Sequence, residues 1–302
     1  MKVINSYFKD VEDKKDEIVV VYTQVLDYLK NRIQDKQLME QIENNSKRSI
    51  VQFTDGNSYT MLAPDKTYKA LKFRDSAAAL KTNMAIRADE KEIDIIPGIA
   101  LRPNYNKHQL VHELLHALSS TQHNYFDENG IAYTKTGTKI DYYDRDLNDY
   151  NMENNPSSDG LNEGITEFLT SMITDEYTGQ YPGFVAVAGL LMSCNDQLLT
   201  AYFSSDTKAL ESFYNDLESK QTLITRDNLC KLVSNELNDD ELTKIIIGAL
   251  KYNTAYNNAV DISEVSGYLD NYYMLDSGSW MDLIKESAYK YEEMGTVSPM
   301  GR

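Results

Sequence analysis

Apolar residues in this chain keep two different periods, and the place where one yields to the other limits the folds open to it. From about residue 158 onward they recur three or four apart, in segments near 160 to 176, 183 to 203, 207 to 219, 226 to 236, 240 to 256 and 279 to 293. That is the period of helices that bury one face. Strand-like runs come earlier. SIVQFTDGNSYTML places two β-branched and aromatic runs around Asp55-Gly56 and predicts a hairpin. Further strands are expected between Thr67 and Arg74 and in EIDIIPGIALRP, where Pro97-Gly98 interrupts an extended apolar stretch. Residues 8 to 43 read as one or two helices, with Ile18, Val21, Val25, Leu26, Leu29, Ile33, Leu38 and Ile42 as the apolar stripe.

A helix is predicted from Asn106 to Ser120, followed by a long polar connection in which YTKTGTKIDYY reads as a small hairpin turning at Thr-Gly-Thr. The expected architecture is therefore α+β. Residues 1–120 form a small N-terminal sheet with flanking helices, and residues 121–302 hold the long connection and a mainly helical C-terminal half. That half is expected to pack behind the helix beginning near residue 160. No internal repeat is visible.

Of 302 residues, 41% are hydrophobic, enough for a substantial core. Forty-seven acidic residues against 30 basic give a formal net charge of −17. The basic residues are scattered, which makes nucleic acid and anionic membranes poor partners. The longest nearly uninterrupted apolar run, Phe184 to Met192, is far shorter than the roughly 20 residues of a spanning helix, so no membrane span is expected. The start, MKVINSYFKDVEDKKDE, has no apolar stretch behind a basic segment. The expectation is a cytoplasmic protein, or a secreted one whose signal has been removed. Cys194 and Cys230 are too few and too far apart for a disulfide scaffold or a paired metal motif, and both are expected to be buried reduced thiols.

The stretch LVHELLHALSS contains His112, Glu113 and His116. Residues four apart on a helix share a face, so both imidazoles can bind one metal ion, with Glu113 beside it. With only four histidines in the chain, this H-E-x-x-H arrangement of metallohydrolases is a specific signal. A catalytic zinc needs a third protein ligand and an open position. Three residues compete for that place. His123 nearly completes an extended H-E-x-x-H-x-x-G-x-x-H pattern, but Ser119 and Gln122 stand where that pattern has Gly and His. His108 lies one turn before His112, yet it is eight residues from His116, about 12 Å of helix rise, so all three cannot share one ion. It reads as a solvated residue of the first turn. Glu163, in DGLNEGITEFLTSMI, stands four residues before Glu167 on a second amphipathic helix. One carboxylate can ligate while the other accepts a hydrogen bond from a ligand histidine.

H-E-x-x-H on one helix followed by N-E-x-x-x-E on the next resembles the gluzincin branch of zinc metallopeptidases, the thermolysin-like zincins. The likeness covers Asn104 to Thr170. It implies one zinc per chain held by His112, His116 and Glu163, with Glu113 as general base and Asn162 and Glu167 supporting the ligands. The connection between the two helices, residues 117–162, is longer than in many members and closer to toxin-type ones, which implies a built-up rim. The branch also supplies a Tyr or His to the tetrahedral intermediate. Tyr150 is the first choice here, ahead of Tyr133, Tyr142, Tyr143 and His123. The implied substrate is a peptide or protein, paired along an edge strand for which IDIIPGIALRP stands in the expected place. The expected function is thus hydrolysis of peptide bonds by zinc-activated water. The alternative is a catalytically inactive relative, a zinc-stapled binding module.

Overall fold

The computed structural model describes residues 2–5, 12–53, 58–62, 68–72, 79–87, 91–121, 123–144, 149–150, 160–178, 181–204, 206–220, 223–234, 238–255 and 268. The chain is α+β, with a sheet in its N-terminal part and a mainly helical C-terminal half. It forms two compact units. One comprises Met1–Pro156, Leu169–Tyr177 and Leu199–Ala209; the other comprises Ser157–Phe168, Thr178–Leu198 and Leu210–Arg302.

In the first unit, strand β1 (Lys2–Asn5) leads to helices α1 (Glu12–Arg32) and α2 (Lys36–Arg48). The helical stretch breaks because Asp35 starts α2 as its N-cap, accepting from the backbone N–H of Gln37 at 2.8 Å and of Leu38 at 3.2 Å. Ile18, Val21, Val25, Leu29 and Ile33 are buried at the expected helical spacing. Strands β2 (Ile50–Phe53), β3 (Ser58–Leu62), β4 (Tyr68–Lys72), β5 (Ala79–Arg87) and β6 (Glu92–Leu101) follow. Next come α3 (Lys107–Leu118), β7 (His123–Tyr125), β8 (Ile131–Thr136), β9 (Lys139–Asp144) and β10 (Asp149–Tyr150).

The main sheet runs β1-β2-β6-β5, with β7 also on β6; β1, β2 and β6 are parallel, and β5 and β7 are antiparallel to β6. This corrects two expectations. β2 and β3 are not a hairpin: β3 pairs antiparallel with β4 in a separate two-stranded sheet. The four residues of β2 are all buried, as befits an interior parallel strand; Asp55 and Gly56 lie outside the described residues. β6 continues straight through Pro97-Gly98. On one side it meets β5 over its length, and on the other it meets β7 at Glu92–Asp94 and β2 at Gly98–Leu101. Pro97 falls in the gap between those two partners, where its missing N–H costs no pairing on that side. β6 is therefore a buried central strand rather than a sheet edge.

The expected Thr-Gly-Thr hairpin is β8 with β9. Thr136 opposes Lys139, and the two-residue turn is made possible by Gly137 at φ 59°. Ala132 on β8 packs against Ile93 and Ile95 of β6. The hairpin is also stitched to the end of α3 by Gly137 N–H to the Ser119 carbonyl at 3.0 Å and by Thr121 N–H to the Lys135 carbonyl at 2.7 Å.

Helix α4 (Gly160–Thr174) has its first part in the second unit and its last part in the first. It is followed by α5 (Pro182–Cys194), α6 (Gln197–Phe203), α7 (Thr207–Lys220), α8 (Arg226–Ser234) and α9 (Asp239–Ala255). The periodic stretch from 183 to 203 is two helices because extended Asn195 intervenes, its side chain accepting from the Gln197 N–H at 2.9 Å. In the second unit α5 is buried on nearly all sides and packs on α9, which explains its uniformly apolar sequence. No single helix among the described residues is long and apolar enough to cross a membrane. The Cys194 thiol is buried and reduced, pushed up to about 12 by that burial, while the Cys230 side chain and residues 279 to 293 lie outside the described residues.

Candidate metal centre

Helix α3 begins at a capping box: Asn106 Oδ1 accepts from the Gln109 N–H at 2.8 Å, and Gln109 Oε1 accepts from the Asn106 N–H at 3.1 Å. Leu110, Val111, Leu114, Leu115 and Leu118 are buried and fix the roll of the helix, which leaves His112 and Glu113 half-buried and His116 buried. The two imidazoles meet edge to face, with ring centroids 4.8 Å apart and planes at 76°. Their Nε2 atoms are 3.1 Å apart. Two nitrogens bound to one tetrahedral zinc at about 2.0–2.1 Å would stand about 3.3 Å apart, so the pair already has the spacing of two corners of such a site.

Glu163 supplies the third ligand atom. It and one nitrogen from each of His112 and His116 all lie within 4.8 Å of one another, and these three residues can hold a metal ion. Two imidazoles and one carboxylate are a donor set that divalent transition-metal ions accept.

The end of α3 is held by side chains that the periodicity did not single out. Ser119 Oγ and Ser120 Oγ both donate to the His116 carbonyl, at 3.1 and 2.9 Å. Buried Asn45 of α2 donates through Nδ2 to the carbonyls of Leu118 and Ser120, at 2.9 and 2.6 Å. These bonds satisfy acceptors that a helix end otherwise leaves bare. A hint was present in Asn45, a poor helix former in the last turn of an otherwise charged helix.

Around Glu163 the packing is set by glycine. A Cβ on Gly164 would lie 2.5 Å from the Phe184 carbonyl oxygen, and one on Gly160 would lie 2.5 Å from the Leu232 carbonyl oxygen and 2.7 Å from the Phe184 ring. The first half of α4 therefore rests directly on the backbone of α5 and α8. Asn162 is buried and its carbonyl accepts from Thr166 Oγ1 at 2.7 Å. Glu167 is 1% exposed and accepts from Thr178 Oγ1 at 2.5 Å.

The remaining candidates divide. His108 is not solvated: it is 4% exposed, with Nδ1 3.2 Å from Thr174 Oγ1 and 3.9 Å from Glu176 Oε2. The end of α4 covers it, a tertiary contact that local sequence does not encode. His123 sits on β7 with its backbone opposite Asp94 of β6, because the helix ends at Ser119 and the chain departs as a strand. Tyr150 lies on β10 opposite Tyr143 of β9. The side chains of Tyr150, Tyr142, Tyr143 and His123 lie outside the described residues, and Tyr133 is half exposed on β8.

No family model, curated protein or solved structure significantly matches the chain.

Proposed function

We propose that the chain is a zinc-dependent metallopeptidase of gluzincin type. The observation that carries this reading is the convergence of His112, His116 and Glu163 to within 4.8 Å, with the imidazole nitrogens at the separation of two zinc ligands. Bound there, zinc would supply Lewis acidity, lowering the pKa of water toward about 7 and polarising a carbonyl.

The chain's own residues provide the rest. Glu113 follows His112 directly, about 100° further round the helix. It is half-buried, open enough to take the proton of an attacking water and return it to the leaving amine. Asn162 and Glu167, both buried on α4, stiffen the element that presents Glu163. Glu167 is also the candidate acceptor for the outer N–H of a ligand histidine. Tyr150 keeps the role of donor to the developing oxyanion. The substrate backbone would pair with β5, which among the described residues is hydrogen-bonded on one side only, and not with the buried β6.

Glu113→Gln tests the assignment. It is expected to retain one zinc per chain and to lose peptide hydrolysis by about 10²- to 10⁴-fold, the usual contribution of a general base. Undiminished hydrolysis by that variant contradicts the role of Glu113. A wild type that holds zinc but cleaves nothing in a broad peptide library supports the zinc-stapled binding module instead.

A further inference from the structure

His108 takes no part in the three-residue group, yet it is the most buried histidine that the structure describes, at 4% exposure against 6% for His116. A buried imidazole needs hydrogen-bond partners, and the direction of its bond can be deduced. Thr174 Oγ1 donates its hydrogen to the Thr170 carbonyl at 2.9 Å. Toward His108 it can therefore only accept, so Nδ1 of His108 carries the hydrogen and donates across 3.2 Å. Glu176 Oε2, 3.9 Å from the same nitrogen, favours that arrangement electrostatically. The result is a directional clasp between the first turn of α3 and the last turn of α4, both in the first unit.

We propose that His108 is a positioning residue for the candidate metal centre, setting how α4 runs beside α3 and thereby the affinity for zinc. This rests on the metal reading above. His108 precedes His112 by one turn on the same face, while Thr174 follows Glu163 by about three turns on the same helix. The clasp thus lies one turn from His112 along α3 and about three turns from Glu163 along α4. Helices are stiff over this length, so a clasp at one end restricts the swing of the other. It uses none of the three candidate ligand side chains, and so removes beforehand part of the ordering that metal binding would otherwise have to impose. Without it, only a fraction of molecules would present Glu163 correctly, and the apparent affinity falls by that fraction.

The test is the zinc dissociation constant, measured by competition with a chromophoric chelator on variants shown by circular dichroism to be folded. His108→Leu removes the donor, Thr174→Val removes the acceptor at constant shape, and His108→Asn keeps an N–H near the Nδ1 position. Each of the first two is expected to weaken zinc about three- to tenfold, the equilibrium effect of one buried hydrogen bond. The double variant should be no weaker than either single one, because both remove the same bond, and His108→Asn should stay near wild type. A role in stability alone would lower the melting temperature of the metal-free variants while leaving their zinc affinity at the wild-type value. That result overturns the proposal while leaving the metal centre standing. A wild type that binds no zinc overturns both.

Discussion

The two helices that carry the candidate ligands are held in opposite ways. α3 is fixed by directional hydrogen bonds at both ends, through the Asn106–Gln109 capping box and through Asn45, Ser119 and Ser120. The first half of α4 is fixed by shape, with Gly160 and Gly164 pressed against backbone carbonyls of α8 and α5. The spacing of His112 and His116 follows from one helical turn and survives wherever that helix forms. The arrival of Glu163 depends on packing many residues away in sequence. Within the candidate site, two residues are thus placed locally and the third by tertiary packing.

That contrast predicts different failures. Gly164→Ala is the strongest test of the tertiary half. In an exposed helix this change would stabilise by about 1 kcal/mol. Here the new Cβ would stand 2.5 Å from the Phe184 carbonyl, so α5 must retreat. The expected cost is about 1–3 kcal/mol by urea denaturation, together with weaker zinc binding although no ligand is touched. A stabilised variant would show that α4 is not seated as described.

Asn45→Ala probes the local half. It leaves the carbonyls of Leu118 and Ser120 without their donor, at an expected cost of about 1–3 kcal/mol. Because the His112–His116 spacing is internal to α3, zinc affinity should change less than threefold. A larger change would mean that this spacing depends on tertiary support after all.

A further prediction is a pH slope. Lys135 of β8 is 2% exposed, and its Nζ donates to the carbonyls of Ala201, Tyr202 and Ser204 at the end of α6. Burial lowers its pKa to about 7 from 10.5, against the opposing pull of Asp206. Between those values the unfolded chain binds the extra proton, so stability should rise with pH from about 7 toward 10.5, the cost of the buried charge being fully present below 7. Lys135→Met should flatten that rise relative to wild type. An unchanged slope would remove Lys135 as its source.

What could be read in the sequence follows the same division. α3, the β8–β9 hairpin and the α+β order are set by local periods and turn residues, and they stand where the pattern placed them. The β2–β3 hairpin failed because Asp55-Gly56 is a local turn signal, whereas β2 belongs to a parallel sheet whose partners come from residues 2–5 and 98–101. The burial of His108 is hidden from local sequence for a similar reason. One helix wheel puts it on an open first turn, whereas in the fold it meets Thr174 at the end of α4 and is buried. The seat at Gly164 likewise answers to a neighbour distant in sequence.

The central claim is that Glu163 completes a metal site begun by His112 and His116. The most direct measurement is elemental mass spectrometry of the wild type and Glu163→Ala after gel filtration in metal-free buffer. About one zinc per wild-type chain, lost in the variant, is the predicted result. No stoichiometric metal in the wild type, or zinc held equally well without Glu163, would contradict it.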